Sequence, residues 1–342
     1  WGHGSAARSA LKFFLYTFLG SLALLLGFIG LYVAAAPHTF DIPELVAAAP
    51  LEDNPLAGGL VLAAILVGLA VKTPTVPFHT WLPPAHTDAP ATGSAVLAGV
   101  LLKMGTYGFV RIAMPILPEA WRAWAWAIVV IGIVSVLYGA FVALAQTNLK
   151  RMIAYTSVNH MGYIVLALGA VGLVVDNSAQ ARSVAVTGAV VQMVSHGLIT
   201  AALFLLAGVM HTRAGTYDLG SYGGLAKPAP RYATLFAVAA FASLGLPGLS
   251  GFIAEFQIFA GSIAVAPVTA IALPGILVTA ALFLLALQRV FTGPTQGQSP
   301  GFADLHGREL WSIGPLLALS LLIGVLPQVL LGVIEPASAA LV

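Results

Sequence analysis

The sequence contains no cysteine and very little charge. Without thiolates the chain cannot form a disulfide, a thiolate zinc site or a cysteine-ligated iron–sulfur cluster, so any linked redox chemistry is expected on other chains. Charged residues make up 8% of the 342 residues and hydrophobic residues 59%, whereas about 25% charge is usual for soluble domains. The composition therefore excludes an ordinary soluble domain and indicates a polytopic membrane protein.

Patterns typical of other functional classes are also missing. The net charge is only +2 and the basic residues are dispersed, so we expect neither a nucleic-acid partner nor a polybasic lipid patch. Residues 245–251 are rich in glycine like a phosphate-binding loop, but no strand precedes them and they lie inside an apolar run. Neither a nucleophile elbow nor an HExxH motif occurs. No soluble catalytic site is expected.

Apolar runs of about 20 residues, the length that crosses a bilayer, recur along the whole chain. The alternating pattern of a membrane β-barrel is absent, which leaves helices as the spanning elements. We therefore predict an all-α membrane protein with about nine transmembrane helices. The predicted spans are residues 10–35, 56–84, 92–115, 121–146, 150–174, 184–212, 231–262, 268–291 and 311–333.

The distribution of lysine and arginine predicts the orientation. With the first residues on one side, that side collects nine of the fourteen basic residues, and the opposite side collects three. The positive-inside rule then places the first residues in the cytoplasm and the C-terminus outside. The nine are Arg8, Lys12, Lys150, Arg151, Arg213, Lys227, Arg231, Arg289 and Arg308, and the three are Arg111, Arg122 and Arg182.

The predicted spans hold, well inside them, two lysines and one glutamate, Lys72, Lys103 and Glu255, together with His196. Ionisable groups inside a membrane are costly and indicate a functional site. Burial disfavours the charged forms of lysine and glutamate, and histidine titrates close to neutral pH, so these groups can exchange protons. The structural alternatives are a lysine that extends to the interface, a histidine that bonds two helices and a permanent ion pair.

Two of the predicted spans are interrupted by proline or glycine. Span 56–84 is interrupted near Lys72 and Pro77, and span 231–262 near residues 246–251. The two spans run in opposite directions, and each has a deep ionisable residue beside its interruption. In transporters, paired broken helices of this kind indicate inverted repeats with the functional site at the breaks.

Two more histidines, His79 and His86, flank Trp81 near the end of the first broken span. His79 is a further candidate for proton transfer, although helix capping and anchoring at the interface explain both histidines equally well. A metal site with Asp88 is not expected, because the intervening prolines forbid the helical spacing that such sites often use.

At these residues the sequence resembles the antiporter-like membrane subunits of respiratory complex I, and the resemblance covers essentially the whole chain. The glutamate at position 255, where other antiporter-like subunits carry lysine, favours one branch of that family. The matching stretches are residues 72–86 (KTPTVPFHTWLPPAH), 97–108 (LAGVLLKMGTYG), 145–162 (AQTNLKRMIAYTSVNHMG), 195–198 (SHGL) and 251–256 (GFIAEF).

The resemblance implies a fourteen-helix subunit with two inverted five-helix repeats, of which this chain carries helices six to fourteen. It implies that residues 1–115 end the first repeat, that residues 116–295 form the second repeat, and that residues 296–342 hold the last loop and helix. Lys72, Lys103, His196 and Glu255 match the ionisable residues of helices seven, eight, eleven and twelve. The glutamate that pairs with the helix-seven lysine belongs to helix five, which we expect before Trp1.

The function implied is proton translocation in a bacterial plasma membrane, as a non-redox subunit of NADH:quinone oxidoreductase. No cofactor is expected on this chain, while flavin mononucleotide, iron–sulfur clusters and quinone are expected in partner subunits. The expected partners are other membrane-arm subunits, lipid, protons and water. Two alternatives stay open, a subunit of a multi-subunit cation/proton antiporter and the membrane subunit of an energy-converting hydrogenase.

Overall fold

The computed structural model describes residue 2 and residues 4–342, and these residues are mostly helical. Within that part of the chain, seven helices are long and apolar enough to cross a membrane. The helices are α1 (Ala6–Ala34), α2 (Ile42–Ala48), α3 (Pro55–Lys72), α4 (Leu82–Asp88), α5 (Ala91–Val96), α6 (Leu102–Gly108), α7 (Met114–Ile116), α8 (Pro118–Leu144), α9 (Leu149–Gly172), α10 (Ala179–Ala214), α11 (Pro230–Ser243), α12 (Ser250–Val265), α13 (Pro274–Phe291), α14 (Gly307–Val325) and α15 (Gln328–Ala339).

The structure therefore supports a polytopic helical protein, and two of the nine predicted spans fall short as single apolar helices. Helix α9 carries many polar residues, and all of its residues except Arg151 and Tyr155 are buried inside the protein. The predicted span 231–262 is divided into α11 and α12, neither of which is long enough alone. Hydropathy identifies helices that face lipid, which explains why the polar, buried α9 falls below the criterion. Helices α11 and α12 fall below it because the break makes each of them too short.

The first break lies where the prolines predicted it. Helix α3 ends at Lys72 and α4 begins ten residues later, at Leu82. Pro74 and Pro77 lie between the two helices, and proline cannot supply the N–H groups that a continuing helix needs. The Trp81 indole N–H donates to the Val71 carbonyl at 2.9 Å and holds the returning chain against the end of α3.

The second break separates α11 from α12, and glycine makes it possible. Gly245 and Gly248 have φ angles of +78° and +93°, in the left-handed region where side chains with a Cβ are disfavoured. A Cβ at Gly245 would also lie 2.6 Å from Oε2 of Glu255. The turn thus brings its backbone directly against the Glu255 carboxyl.

Two expectations from the sequence differ from the structure. The predicted span 311–333 consists of two helices, because α14 ends at Val325 and α15 begins at Gln328 after the turn at Pro327. A two-stranded antiparallel ladder pairs Tyr222–Gly223 with Gln296–Gly297 in loops of an otherwise helical fold.

Helix α9 packs tightly against α8 through glycines. Gly132 and Gly139 on α8 and Gly162 and Gly169 on α9 all lie where a Cβ would meet the backbone of the other helix. A Cβ at Gly139, for example, would lie 2.6 Å from the Asn159 backbone nitrogen. Small residues allow such close helix contacts in membranes, where apolar burial alone does not drive association. Helices α10 and α12 cover other faces of α9.

Outside the spans, Asp304 caps α11. Its carboxylate accepts hydrogen bonds from the N–H groups of Arg231 at 3.0 Å and Tyr232 at 2.9 Å. Burial raises the pKa of Asp304, but these hydrogen bonds and one from Leu305 outweigh burial and hold the pKa below its ordinary value of 3.8. The cap therefore stabilises the fold fully above pH 3.8 and loses its effect as the pH falls through the folded-state pKa.

We expect Asp304→Ala to lower the free energy of unfolding by about 1 kcal/mol at neutral pH, the usual loss for a helix cap. The difference from the parent protein should shrink under acid conditions, where the parent's carboxylate is also protonated. Thermal unfolding in detergent measures both effects. Asp53→Ala, at an exposed position, is the matched control, and equal effects of the two substitutions would contradict the capping role.

Candidate functional site

The deep ionisable residues of α6 and α10 are in direct contact. The Lys103 ammonium nitrogen lies 2.5 Å from His196 Nδ1, and it also donates to the Ala98 carbonyl at 2.5 Å. Ala98 belongs to a π-helical turn, residues Leu97–Leu101, that directly precedes α6. Turns of this kind are frequent at functional sites. Because their side-chain nitrogens are in contact, Lys103 and His196 form one coupled pair rather than two separate sites.

A third side chain, His160 of α9, joins this pair to Glu255. The rings of His160 and His196 are 5.4 Å apart between centroids and meet edge to face. His160 Nε2 lies 3.8 Å from the Glu255 carboxylate and 3.2 Å from the Ser243 carbonyl. Both histidines and Glu255 are buried. Lys103, His196, His160 and Glu255 thus form a continuous row, hereafter the central row.

Sequence reasoning did not single out His160 as a site residue, although it lies in one of the matching stretches. A signal existed in the polar residues that run through α9, since Thr156, Ser157 and Asn159 precede the histidine directly. A span with that composition has to face protein rather than lipid. Which helices surround it, however, depends on the tertiary packing.

A small cavity of ≈ 10 Å³ lies between the histidines and Glu255. This volume is sufficient for about one water molecule. His160 Nδ1 and His196 Nε2 have no hydrogen-bond partner among the described residues, and four uncharged polar side chains also line the cavity. These are Gln192, Ser195, Thr200 and Ser243. The cavity therefore offers a polar connection across the middle of the central row.

Two glycines let the Lys103 and His196 helices approach each other. A Cβ at Gly197 would lie 2.8 Å from the Gly99 carbonyl oxygen, closer than packed atoms tolerate. We expect Gly197→Ala to separate the helices and to destabilise the fold by roughly 1–3 kcal/mol, as overpacking does. Thermal unfolding in detergent measures the loss. Gly314→Ala is the control, because no atom lies within 4 Å of its added Cβ, and equal stabilities would contradict the close contact.

Three buried serines link the helices around the second break. Ser195 and Ser250 are 2.8 Å apart between hydroxyl oxygens, and Ser250 and Ser320 are 2.7 Å apart. Ser195 adjoins His196 on α10, and Ser250 starts the helix that carries Glu255. The hydroxyls therefore fix α10, α12 and α14 relative to one another beside the central row.

Lys72 lies apart from the central row. It is half-buried at the end of α3, and its ammonium makes no hydrogen bond or ion pair with residues 2 and 4–342. An open groove of ≈ 480 Å³ is lined by Lys72 and Lys103 together with mostly apolar side chains. The two predicted lysines thus line one groove without touching.

His79, His86 and Lys150 lie outside the central row. His79 meets the Tyr138 ring edge to face at 4.9 Å, and His86 stacks on Phe204 at 4.5 Å. Lys150, expected in a loop or at a helix end, is fully buried. It donates to the Ala89 carbonyl at 2.6 Å, at the C-terminal end of α4, where a cation is favourable. In the described part of the chain, no three His, Asp or Glu side chains are grouped to hold a metal.

The chain is similar to known proteins in both sequence and fold. Residues 1–293 match the family described as NADH:quinone oxidoreductase/Mrp antiporter, transmembrane. The match covers more than half of the chain, and the chain therefore belongs to this family.

Two relatives show the degree of similarity. NADH-quinone oxidoreductase subunit M of Rickettsia prowazekii is 40% identical over 338 residues, which are 97% of this chain and 66% of the relative. F(420)H(2) dehydrogenase subunit M of Methanosarcina mazei is 40% identical over 349 residues, which are 100% of this chain and 68% of the relative. The chain therefore spans slightly less than two thirds of the first relative.

Two solved structures share the fold. A chain of respiratory complex I from Thermus thermophilus with bound NADH is 32% identical, with a TM-score of 0.90 over 99% of this chain and 70% of that chain. A chain of the Mrp complex from Dietzia sp. DQ12-45-1b is 23% identical, with a TM-score of 0.84 over 98% of this chain and 68% of that chain. Because the Mrp chain is only 23% identical, its similarity shows a shared fold and nothing about function.

Proposed function

We propose that the chain is a proton-translocating membrane-arm subunit of an NADH:quinone oxidoreductase. The observation that carries the proposal is the central row, in which Lys103, His196, His160 and Glu255 follow one another through four neighbouring helices. Buried groups that exchange protons have no structural need to be lined up in this way. The family membership supports the same function, with subunit M relatives at 40% identity.

Electrostatic coupling between neighbours is the proposed driving principle. Lys103 and His196 are 2.5 Å apart, and two positive charges at that separation repel strongly in a site with little water. Protonation of one group therefore favours release from the other, and the proton moves along the row to Glu255. Lys72 acts on Lys103 across the groove that both residues line, and His79 is a further candidate for proton transfer.

The chain itself carries no redox step in this proposal. Partner subunits oxidise NADH and reduce quinone with flavin mononucleotide and iron–sulfur clusters, and the energy reaches this subunit as a change of charge beside its ionisable residues. The partners on either side are other membrane-arm subunits and lipid. Protons move from the cytoplasm to the outside of a bacterial plasma membrane, with the first residues cytoplasmic and the C-terminus outside.

The proposed architecture keeps nine membrane crossings. The two that are not single long apolar helices are α9, which is polar, and the α11–α12 pair, which is divided by the second break. Residues 1–115 then belong to a first inverted repeat, residues 116–295 form the second, and residues 296–342 hold the last loop and crossing. The support for paired repeats is the position of Lys72 and Glu255, each beside a broken helix of opposite direction.

Purification of the full-length protein with its native partners tests the function. We expect co-purification of flavin and iron–sulfur subunits, and NADH-driven quinone reduction coupled to acidification in proteoliposomes. Sodium/proton exchange without NADH oxidation would contradict the proposal in favour of a cation/proton antiporter. Co-purification of nickel–iron subunits would contradict it in favour of an energy-converting hydrogenase. Oxidation of F(420)H(2) in place of NADH would contradict the proposed electron donor.

A further inference from the structure

The ends of four helices meet at an open groove, hereafter the outer groove. Helices α8 and α10 begin near it, and α9 and α12 end near it. The outer groove has a volume of ≈ 580 Å³ and is lined by residues 172–175 and 265–268 together with Arg122 and Trp126. The distribution of basic residues predicts that this end of the helices faces the outside. The groove is therefore expected at the outer edge of the membrane.

The lining of the outer groove is mostly apolar and exposed. Val174, Val175, Val268 and the indole of Trp126 are all exposed at the surface. Apolar side chains on the surface of a membrane protein face acyl chains, and tryptophan is frequent at the level of the lipid headgroups. The shape and polarity of this groove thus suit a lipid, with the acyl chain along the valines and the headgroup near Trp126.

Two arginines from different helices lie at this groove. Arg122 of α8 lines it, and Arg182, near the start of α10, is close enough to Arg122 for the two charges to repel each other. They are two of the three basic residues predicted outside, and they are far apart in the sequence. The sequence therefore shows no basic cluster, and the fold creates one. Like charges held together in this way require an anion to offset their repulsion.

Only one of the two arginines has a carboxylate partner among the described residues. Arg122 pairs with Glu119 at 2.5 Å, and both side chains are about half exposed. Arg182 is only 8% exposed, and its Nε donates to the Val171 carbonyl at 2.8 Å. Asp176, in the turn before α10, is exposed and pairs with neither arginine. A guanidinium has five N–H donors, so Arg182 keeps both a net charge and further donors for an anion.

We propose that the outer groove binds one anionic phospholipid, with its phosphate on Arg122 and Arg182 and an acyl chain along residues 172–175 and 265–268. Guanidinium groups form charge-assisted hydrogen bonds to phosphate oxygens, and the fork geometry of arginine suits that contact. The lipid supplies the missing negative charge and connects the ends of the four helices. This inference goes beyond the proposed function and does not depend on proton transfer.

Native mass spectrometry of the purified complex, titrated with phosphatidylglycerol in detergent, tests the proposal. We expect one tightly bound phosphatidylglycerol on this subunit, and Arg182→Gln should weaken its binding on the order of tenfold, as expected for the loss of hydrogen bonds to a charged group. Arg111→Gln is the matched control, because it removes the third outer arginine, which is exposed and does not line the groove. Equal weakening in both variants would show a general effect of net charge and would overturn the site.

A second variant tests the apolar part of the groove and leaves both arginines in place. Val268→Trp adds bulk at an exposed position in the lining, so it should also weaken phosphatidylglycerol binding without disturbing the interior. Val134→Trp, at an exposed position of α8 away from the lining, is its control and should bind like the parent. Parent affinity in Val268→Trp overturns the proposal, and this result decides the matter even where Arg182→Gln fails to assemble.

Two further ligands identify what the arginines recognise. Phosphatidylethanolamine with the same acyl chains carries no net charge, so it should bind more weakly than phosphatidylglycerol. Equal binding of the two lipids would overturn the preference for an anionic headgroup. Inorganic phosphate lacks the acyl chains, and we expect it not to displace phosphatidylglycerol at equal concentration. Complete displacement would assign the site to a free anion and overturn the lipid.

Discussion

Replacement of Glu255 by glutamine should abolish most proton translocation while the complex still assembles. Glutamine keeps the volume and polarity of the side chain but cannot take up or release a proton. Because Glu255 is the only carboxylate in the central row, no neighbouring group replaces it. We expect a loss on the order of a hundredfold, within the range seen when a proton-transfer group is removed. Proton uptake by inside-out vesicles, divided by the electron-transfer rate, measures the effect.

Glu335→Gln is the matched control, since it makes the same chemical change at an exposed position of α15. It should leave the ratio of protons to electrons unchanged, and native gel electrophoresis should show normal assembly of both variants. Translocation at the parent level in Glu255→Gln would exclude the central row as the proton path.

The second large effect is expected from Lys103→Met. Methionine preserves the apolar stem and removes the ammonium that contacts His196 Nδ1 and the Ala98 carbonyl. His196 then loses the neighbour whose charge state governs its own. We expect a loss of translocation comparable to that of Glu255→Gln, again with normal assembly, measured in the same vesicle assay.

A double-mutant cycle with His196→Ala distinguishes a coupled pair from two independent groups. Residues that act as a unit are strongly non-additive, so the double variant should be hardly worse than either single variant. Lys227→Met, at an exposed loop position, is the control. Additive losses would contradict direct coupling between Lys103 and His196.

The sequence was sufficient to find ionisable groups inside the apolar spans, but not to predict which of them are in contact. Lys72, Lys103 and Glu255 stand out because so few charges interrupt the apolar runs, and the prolines after Lys72 predict the first break. The 2.5 Å contact between Lys103 and His196 could not be predicted, because it depends on two glycines of different helices meeting. His160 was missed for a similar reason, since its position in the row depends on which helices surround α9.

Helix ends, and the burial of lysines near them, were even harder to predict from the sequence. The turn at Pro327 divides an apolar run that reads as one span, and only packing decides whether such a run bends. Lys150 lies at the start of α9, as its neighbours in the sequence predict. Its complete burial was not predicted, because it depends on the end of α4, which supplies a carbonyl for its ammonium. Sequence patterns therefore predict which residues are chemically important better than they predict which residues are in contact.

The π-helical turn at Leu97–Leu101 has a consequence for how Lys103 is aimed. Such a turn holds one residue more than the α-helical turn it replaces, and each residue of an α-helix advances about 100° around the axis. Without the additional residue, the Lys103 side chain would point about 100° away from His196, toward a different neighbour. A single backbone insertion, rather than a choice of side chain, thus directs this lysine into the row.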